Sequence, residues 1–344
     1  MNSRLSNLRR RDFLKLAAAG GLALSIPLIG SRFVPNLVER APFSTSFNAI
    51  ATVVAITIDD DIATDKANQL VDSVTNNITT LGNILTRFPG GVDLYNLNQT
   101  DLLVEPSSDL VTVLKEATNY SQSTEGCFDV TVEPVLDLLQ GYLSGQSFPS
   151  DSQFNAALSL IDYEQVGVSS NQVSLDKPGM GVTLDGIATG YILDKSIQIL
   201  RSNGIKSAFI NFGGTLATIG GRADGSPWQV GIVDPMNPLN SIGTLYLRDQ
   251  AVATSGDYED YFTPNKQYYH IIDPFTARSP LFSHSATVVA STSMVADPLG
   301  VALMVEDPSE AINLIDSFPA ECLLYTDTNG VMTSSGMAQL MKRQ

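Results

Sequence analysis

Between residues 208 and 254 the chain passes through successive strand patterns, at 208–212, 216–219, 228–233, 242–247 and 251–254, with no helix pattern between them. Strands joined this way pair antiparallel, because a parallel partner needs a crossover of about a dozen residues or more. Helix patterns flank the block. Residues 62–88 carry Leu70, Val74, Ile78, Leu81 and Leu85 at three- and four-residue steps, and Pro89-Gly90-Gly91 ends the run. Residues 107–120 form a second helix, with Ser107 or Ser108 as cap and Leu110, Val113, Leu114 and Ala117 as its buried stripe. Further helices are predicted at 154–161, 191–203, 294–305 and 309–317, the third segment from the end of the chain being stopped by Gly204. Strands are predicted at 49–58, 181–184, 268–272 and 286–290, with hairpins over 166–175 and about 327–330. The sum is an α+β fold with largely antiparallel sheets and packed helices.

The first forty residues are set apart by charge. They hold seven basic and two acidic side chains, +5, so a chain of net charge -16 has -21 in the rest. An acidic body argues against nucleic-acid binding, which needs a basic surface. Arg10-Arg11-Asp12-Phe13-Leu14-Lys15 resembles a twin-arginine export signal, and an apolar run follows from Leu16 to Gly30. That run is shorter than the roughly 20 residues that span a bilayer comfortably. We read residues 1–40 as a targeting segment and expect an extracytoplasmic protein. No small-x-small cleavage site stands out, which leaves a retained membrane anchor open. One folded domain is expected from 48 to 344, with no internal repeat. Cys127 and Cys322 are either one disulfide or two buried thiols.

Two stretches carry the chemistry. In Thr183-Leu184-Asp185-Gly186-Ile187-Ala188-Thr189-Gly190-Tyr191 an apolar segment ends at an acid and a glycine, and a helix pattern begins. Bare backbone at such a junction lets a phosphate or metal approach main-chain atoms. Tyr269-His270-Ile271-Ile272-Asp273-Pro274 supplies one of only two histidines, and Ala296-Asp297-Pro298 a lone acid among apolar residues.

Taken with Gly126-Cys127-Phe128-Asp129-Val130-Thr131 and Pro134, Ile210-Asn211-Phe212-Gly213-Gly214, Trp228-Gln229-Val230-Gly231-Ile232 and Thr254-Ser255-Gly256-Asp257-Tyr258, these stretches resemble the ApbE-type flavin transferases, in the family's order. The resemblance implies an ApbE-like, T-fold-like architecture. It also implies a Mg²⁺-dependent enzyme that moves FMN from FAD to a Ser or Thr of a partner flavoprotein and releases AMP. It assigns the metal to the Gly186 carbonyl, Asp297 and position 301. Phe88, Cys127, Phe128, Asp129, Thr183, Thr189 and Ile271 fall at flavin-binding positions, and His270 and Asp185 at catalytic ones. The chain departs from the pattern at Val301, where the family has a metal-ligating Thr, and at Thr189, where it has Lys. Valine offers a hard cation no oxygen. Two rival readings follow: an FAD-binding protein without metal chemistry, or an FAD pyrophosphatase giving FMN and AMP.

Overall fold

The computed structural model describes residues 41–258 and 260–342; the twin-arginine motif and its apolar run lie outside them. An eight-stranded antiparallel sheet forms the frame, in the order β1 (Phe43–Ala49), β2 (Thr52–Ile58), β6 (Ala208–Phe212), β7 (Thr215–Ile219), β10 (Ala251–Gly256), β11 (Ser283–Ala290), β12 (Ala320–Thr326) and β13 (Gly330–Thr333). The sheet starts before residue 48: β1 pairs along its full length with β2 as an edge strand with alternating burial. The hairpin β8 (Trp228–Val233) and β9 (Ser241–Leu247) packs separately, with Trp228, Leu245 and Leu247 meeting Leu216, Val252 and Leu323 of the large sheet. A third sheet joins β3 (Leu102–Val104), β5 (Gln172–Leu175) and β4 (Val166–Val168).

Helices cover the other face of the large sheet. The longest, α1 (Thr64–Leu85), buries the Leu70, Val74, Ile78, Leu81 and Leu85 stripe that its sequence predicts. Next come α2 (Asp93–Thr100), α3 (Ser108–Ser123), α4 (Glu133–Leu143) and α5 (Asp151–Leu158). Ser107 caps α3 by accepting the Leu110 amide, and Ser150 with Gln153 forms a capping box on α5. Helices α6 (Ala188–Ser202) and α7 (Ser293–Val305) lie side by side, followed by α8 (Pro308–Ile315) and the short α9 (Met337–Leu340).

Two predicted strands are not strands. Residues 181–184 are extended but pair with no strand. The Asn98 side chain takes their place: it accepts the Val182 amide at 2.9 Å and donates to the Val182 carbonyl at 2.8 Å. A side-chain amide has one donor and one acceptor group, so it can copy one rung of a ladder. Residues 268–272 form only an isolated bridge, Tyr261 to Tyr269. Here Ser279 does the pairing, its hydroxyl accepting the Tyr269 amide and donating to the Tyr269 carbonyl, both at 2.9 Å. The disulfide alternative also falls: Cys127 and Cys322 are free, buried thiols, each held up to about 12 chiefly by burial.

Candidate functional site

The junction of residues 183–190 sits against α7, from Ser293 at its start to Val301 two turns on. Its closeness is set by glycine. A Cβ on Gly190 would lie 2.5 Å from the Ser293 carbonyl oxygen and 3.0 Å from the Met294 Cα, so α6 and α7 meet backbone to backbone. A Cβ on Gly186 would lie 3.0 Å from a Val301 methyl and 3.2 Å from the Phe128 ring. Two acids stitch the helices together. Asp297 accepts the Gly190 amide at 2.9 Å. Asp194 reaches from α6 to accept the Ser293 and Met294 amides at 2.8 and 2.9 Å, capping α7 where Thr292 provides no side-chain cap.

Asp297 and Val301 are four residues apart on one helix and so share a face. That face meets Gly186 through Val301 and Gly190 through Asp297. The Asp297 carboxyl is pushed up to about 7, first by burial, then by the carboxylates of Asp194 and Asp185, against the pull of the Gly190 amide. Asp194 is raised for the same first reason. Gathered negative charge of this kind favours a cation, and the Gly186 carbonyl and the Asp297 carboxylate are oxygen donors suited to a hard divalent ion. Val301 adds none. Among the described residues no three His, Cys, Asp or Glu side chains converge as a ligand set, which a site of one carboxylate and one carbonyl would not require.

The remaining site candidates divide by exposure. Asp185 is exposed and its carboxylate accepts from Arg87 Nε at 3.1 Å, while its own amide donates to the Thr183 hydroxyl. Phe88 is 46 % exposed, with the Arg87 guanidinium 4.3 Å from its ring centre. Thr189 is partly exposed in the first turn of α6. Phe128 is buried beneath Gly186, so its ring belongs to the core. Both oxygens of Asp129 are engaged: one accepts the Thr131 amide and hydroxyl, the other the Tyr163 amide, which makes it a cap for the turn at Val130–Val132. The Cys127 thiol donates to Glu306 at 3.3 Å.

His270 and Ile271 come from a separate loop. Tyr269 anchors it, fully buried, with its hydroxyl donating to the Pro280 carbonyl at 2.6 Å. His270 is partly exposed beside it, and the Ile271 side chain enters the main core. The same loop lays Phe275 over Gly126, where a Cβ would meet the ring at 3.3 Å. It therefore borders the segment that carries Phe128 and, through that ring, Gly186.

Sequence reasoning missed what three residues do here. Asp194 was visible only as the end of the D-G-I-A-x-G-Y-x-x-D pattern, and its capping of a helix a hundred residues away had no local signal. Glu133 was singled out by no pattern and Arg87 only as the neighbour of Phe88, yet Arg87 NH1 donates to Glu133 Oε1 at 2.9 Å in the interior. A Glu followed by Pro at a helix start was the one available hint of a carboxylate at an N-terminal turn.

The family model described as ApbE family matches residues 50–324. The FAD:protein FMN transferase of Vibrio cholerae is 34% identical over 230 residues, 64% of this chain and 68% of that protein. The FAD:protein FMN transferase of Haemophilus influenzae is 31% identical over 259 residues, 71% of this chain and 74% of that protein. The crystal structure of the ApbE protein of Thermotoga maritima superimposes with a TM-score of 0.81 at 26% identity, covering 88% of this chain and 100% of that one. The flavin transferase ApbE of Vibrio cholerae gives 0.76 at 26% identity, over 87% of this chain and 100% of that one. With its sheet, its glycine-spaced helix pair and a family match that runs from β2's approach turn into β12, this chain belongs to the ApbE family.

Proposed function

We propose that the protein is an FAD:protein FMN transferase that moves FMN from FAD to a Ser or Thr hydroxyl of a partner flavoprotein and releases AMP. The observation that carries the reading is the seating of the 185–190 turn on α7, with Gly186 against Val301 and the Gly190 amide on Asp297. Mg²⁺, when bound, neutralises the pyrophosphate and activates the phosphorus under attack. Asp297 and the Gly186 carbonyl would hold it, and Val301 would contribute no ligand. Phe88, nearly half exposed and backed by Arg87, offers a flat face to the flavin ring. Asp185 bonds the flavin edge or a water. His270 takes the proton of the acceptor hydroxyl. The acceptor oxygen–phosphorus bond forms as the bond from phosphorus to the AMP oxygen breaks. The N-terminal segment directs export by the twin-arginine route, so the acceptor is an extracytoplasmic flavoprotein. Among the described residues no helix is long and apolar enough to cross a membrane.

Val301 supports one rival, an FAD-binding protein without turnover. Incubation of the purified protein with FAD, Mg²⁺ and an acceptor peptide of the D-G-x-[ST]-G-A-[ST] type separates the readings. Flavinylated peptide with AMP is expected. Tight FAD binding without AMP would establish the rival, and FMN with AMP but no labelled peptide would indicate a pyrophosphatase.

A further inference from the structure

Arg87 is among the most enclosed charged side chains of the described residues, and its surroundings form a chain that ends at the site. Its side chain is only 7% exposed. Its NH1 donates to Glu133 Oε1 at 2.9 Å, and its Nε to Asp185 Oδ2 at 3.1 Å. Asp137 stands 3.7 Å from NH1, and the Phe88 ring covers the guanidinium. Glu133 is itself enclosed, 5% exposed, with its Oε2 buried and without a hydrogen-bond partner. It fits because residue 181 is glycine: a Cβ there would lie 2.7 Å from Glu133 Cγ. Glu133 thus locks the guanidinium from within, and the fork's other edge holds Asp185, the residue before Gly186. A planar fork holds its donors in fixed directions toward two acids at once, which the freely turning donors of an ammonium on a flexible stem do not.

Building on the transferase reading, we infer that Arg87 is a positioning residue: held by Glu133, it fixes the Asp185 carboxylate at the lip of the turn and offsets its charge next to Asp297. Asp185 adjoins Gly186 in the turn whose Gly190 amide donates to Asp297, and its charge, like that of Asp194, helps to raise the Asp297 carboxyl. The site must admit both a divalent cation and an anionic dinucleotide. Uncompensated, the exposed Asp185 draws the first and repels the second. Arg87 balances the two affinities, and it sets Phe88 by stacking under its ring.

The test uses the full chain with Arg87→Gln, Asp185→Asn, the double variant and Glu133→Gln. Mn²⁺ affinity is measured without FAD by paramagnetic resonance, and FAD affinity without metal by flavin fluorescence. Arg87→Gln should tighten Mn²⁺ and weaken FAD, each by about three- to tenfold. Asp185→Asn should do the reverse, the double variant should return both toward wild type, and Glu133→Gln, which keeps the Oε1 acceptor, should leave both unchanged. A purely structural role would lower both affinities together, and that result, or additive losses in the double variant, overturns the inference. If Arg87→Gln does not fold, Asp185→Asn alone decides: Asn keeps a hydrogen-bonding side chain at the flavin edge and removes only the charge, so the two affinities must move in opposite directions. A wild-type protein that binds both ligands but transfers no FMN would refute the transferase reading while leaving these affinities to judge Arg87. Binding of neither ligand would overturn both.

Discussion

Gly190→Ala tests the contact on which the site depends. The added methyl would sit 2.5 Å from the Ser293 carbonyl oxygen and 2.7 Å from its carbon, and all three nearest atoms are backbone, so no side chain can swing away. Relief requires α6 and α7 to part until the contact reaches the ordinary 3.4 Å and beyond. Overpacking of this kind costs about 1–3 kcal/mol. A gap of up to about 1 Å along the rest of the interface forfeits a quarter to a half of each dispersion contact it opens. The Gly190 amide bond to the Asp297 carboxylate stretches as well, an interaction of a class worth about 1.5–3 kcal/mol. We expect a loss of about 3 kcal/mol in denaturant unfolding, with a melting temperature lower by roughly 5–10 °C. Gly145→Ala is the control: its φ is +99° but nothing lies within 4 Å of the new Cβ, so only backbone strain of about 1–2 kcal/mol applies. If Gly190→Ala costs no more than Gly145→Ala, the helices are not held at glycine distance and the reasoning is wrong.

Other consequences are as direct. His284 lies between Asp257 at 2.6 Å and Asp327 at 2.7 Å; burial opposes its charge, but the two carboxylates prevail and its pKa is raised. Its stabilising contribution is therefore complete below the ordinary histidine value of about 6.5 and is lost as pH climbs through the raised folded value. The stability gap between wild type and His284→Gln should be widest at pH 5–6 and should close in alkali; a gap independent of pH would contradict this. Glu133 is pushed up to about 9, first by burial, with Arg87 pulling the other way. Between the ordinary value near 4.5 and about 9 the folded chain holds a proton that the unfolded chain has released, so wild-type stability falls as pH rises across that window. Glu133→Gln, with no proton to lose, should gain on wild type from pH 5 to 8 in urea titrations, and an unfavourable change at pH 8 would show the buried pair to be fully ionised. Val301→Thr places a hydroxyl on the face that meets Gly186 and should tighten Mg²⁺ several-fold by calorimetry. Combined with Thr189→Lys it should raise turnover; no gain from either would mean these two departures do not limit the site.

Much of the fold was legible because its signals are local. The stripe from Leu70 to Leu85 needs only helical spacing, and the Ser107 cap only its neighbours. The pairing of 181–184 and 268–272 was not legible, because Asn98 and Ser279 replace a strand's backbone with a side chain, and nothing in an extended sequence says which partner it will meet. The site divides the same way. The motif residues Gly186, Gly190 and Asp297 do come together. Phe128 and Asp129 come from the Gly126–Thr131 stretch, where burial under Gly186 and capping of the next turn occupy them. The contact between Arg87 and Glu133 could not be found by pattern, since it spans 46 residues and depends on a gap left by Gly181.

The most direct test is to locate the ion. In crystals grown with FAD and Mn²⁺, anomalous scattering should show one peak bounded by the Gly186 carbonyl and the Asp297 carboxylate, touching the flavin dinucleotide's phosphates, and the peak should vanish in Asp297→Asn. A peak elsewhere, or phosphates bound away from the 185–190 turn, would contradict the account.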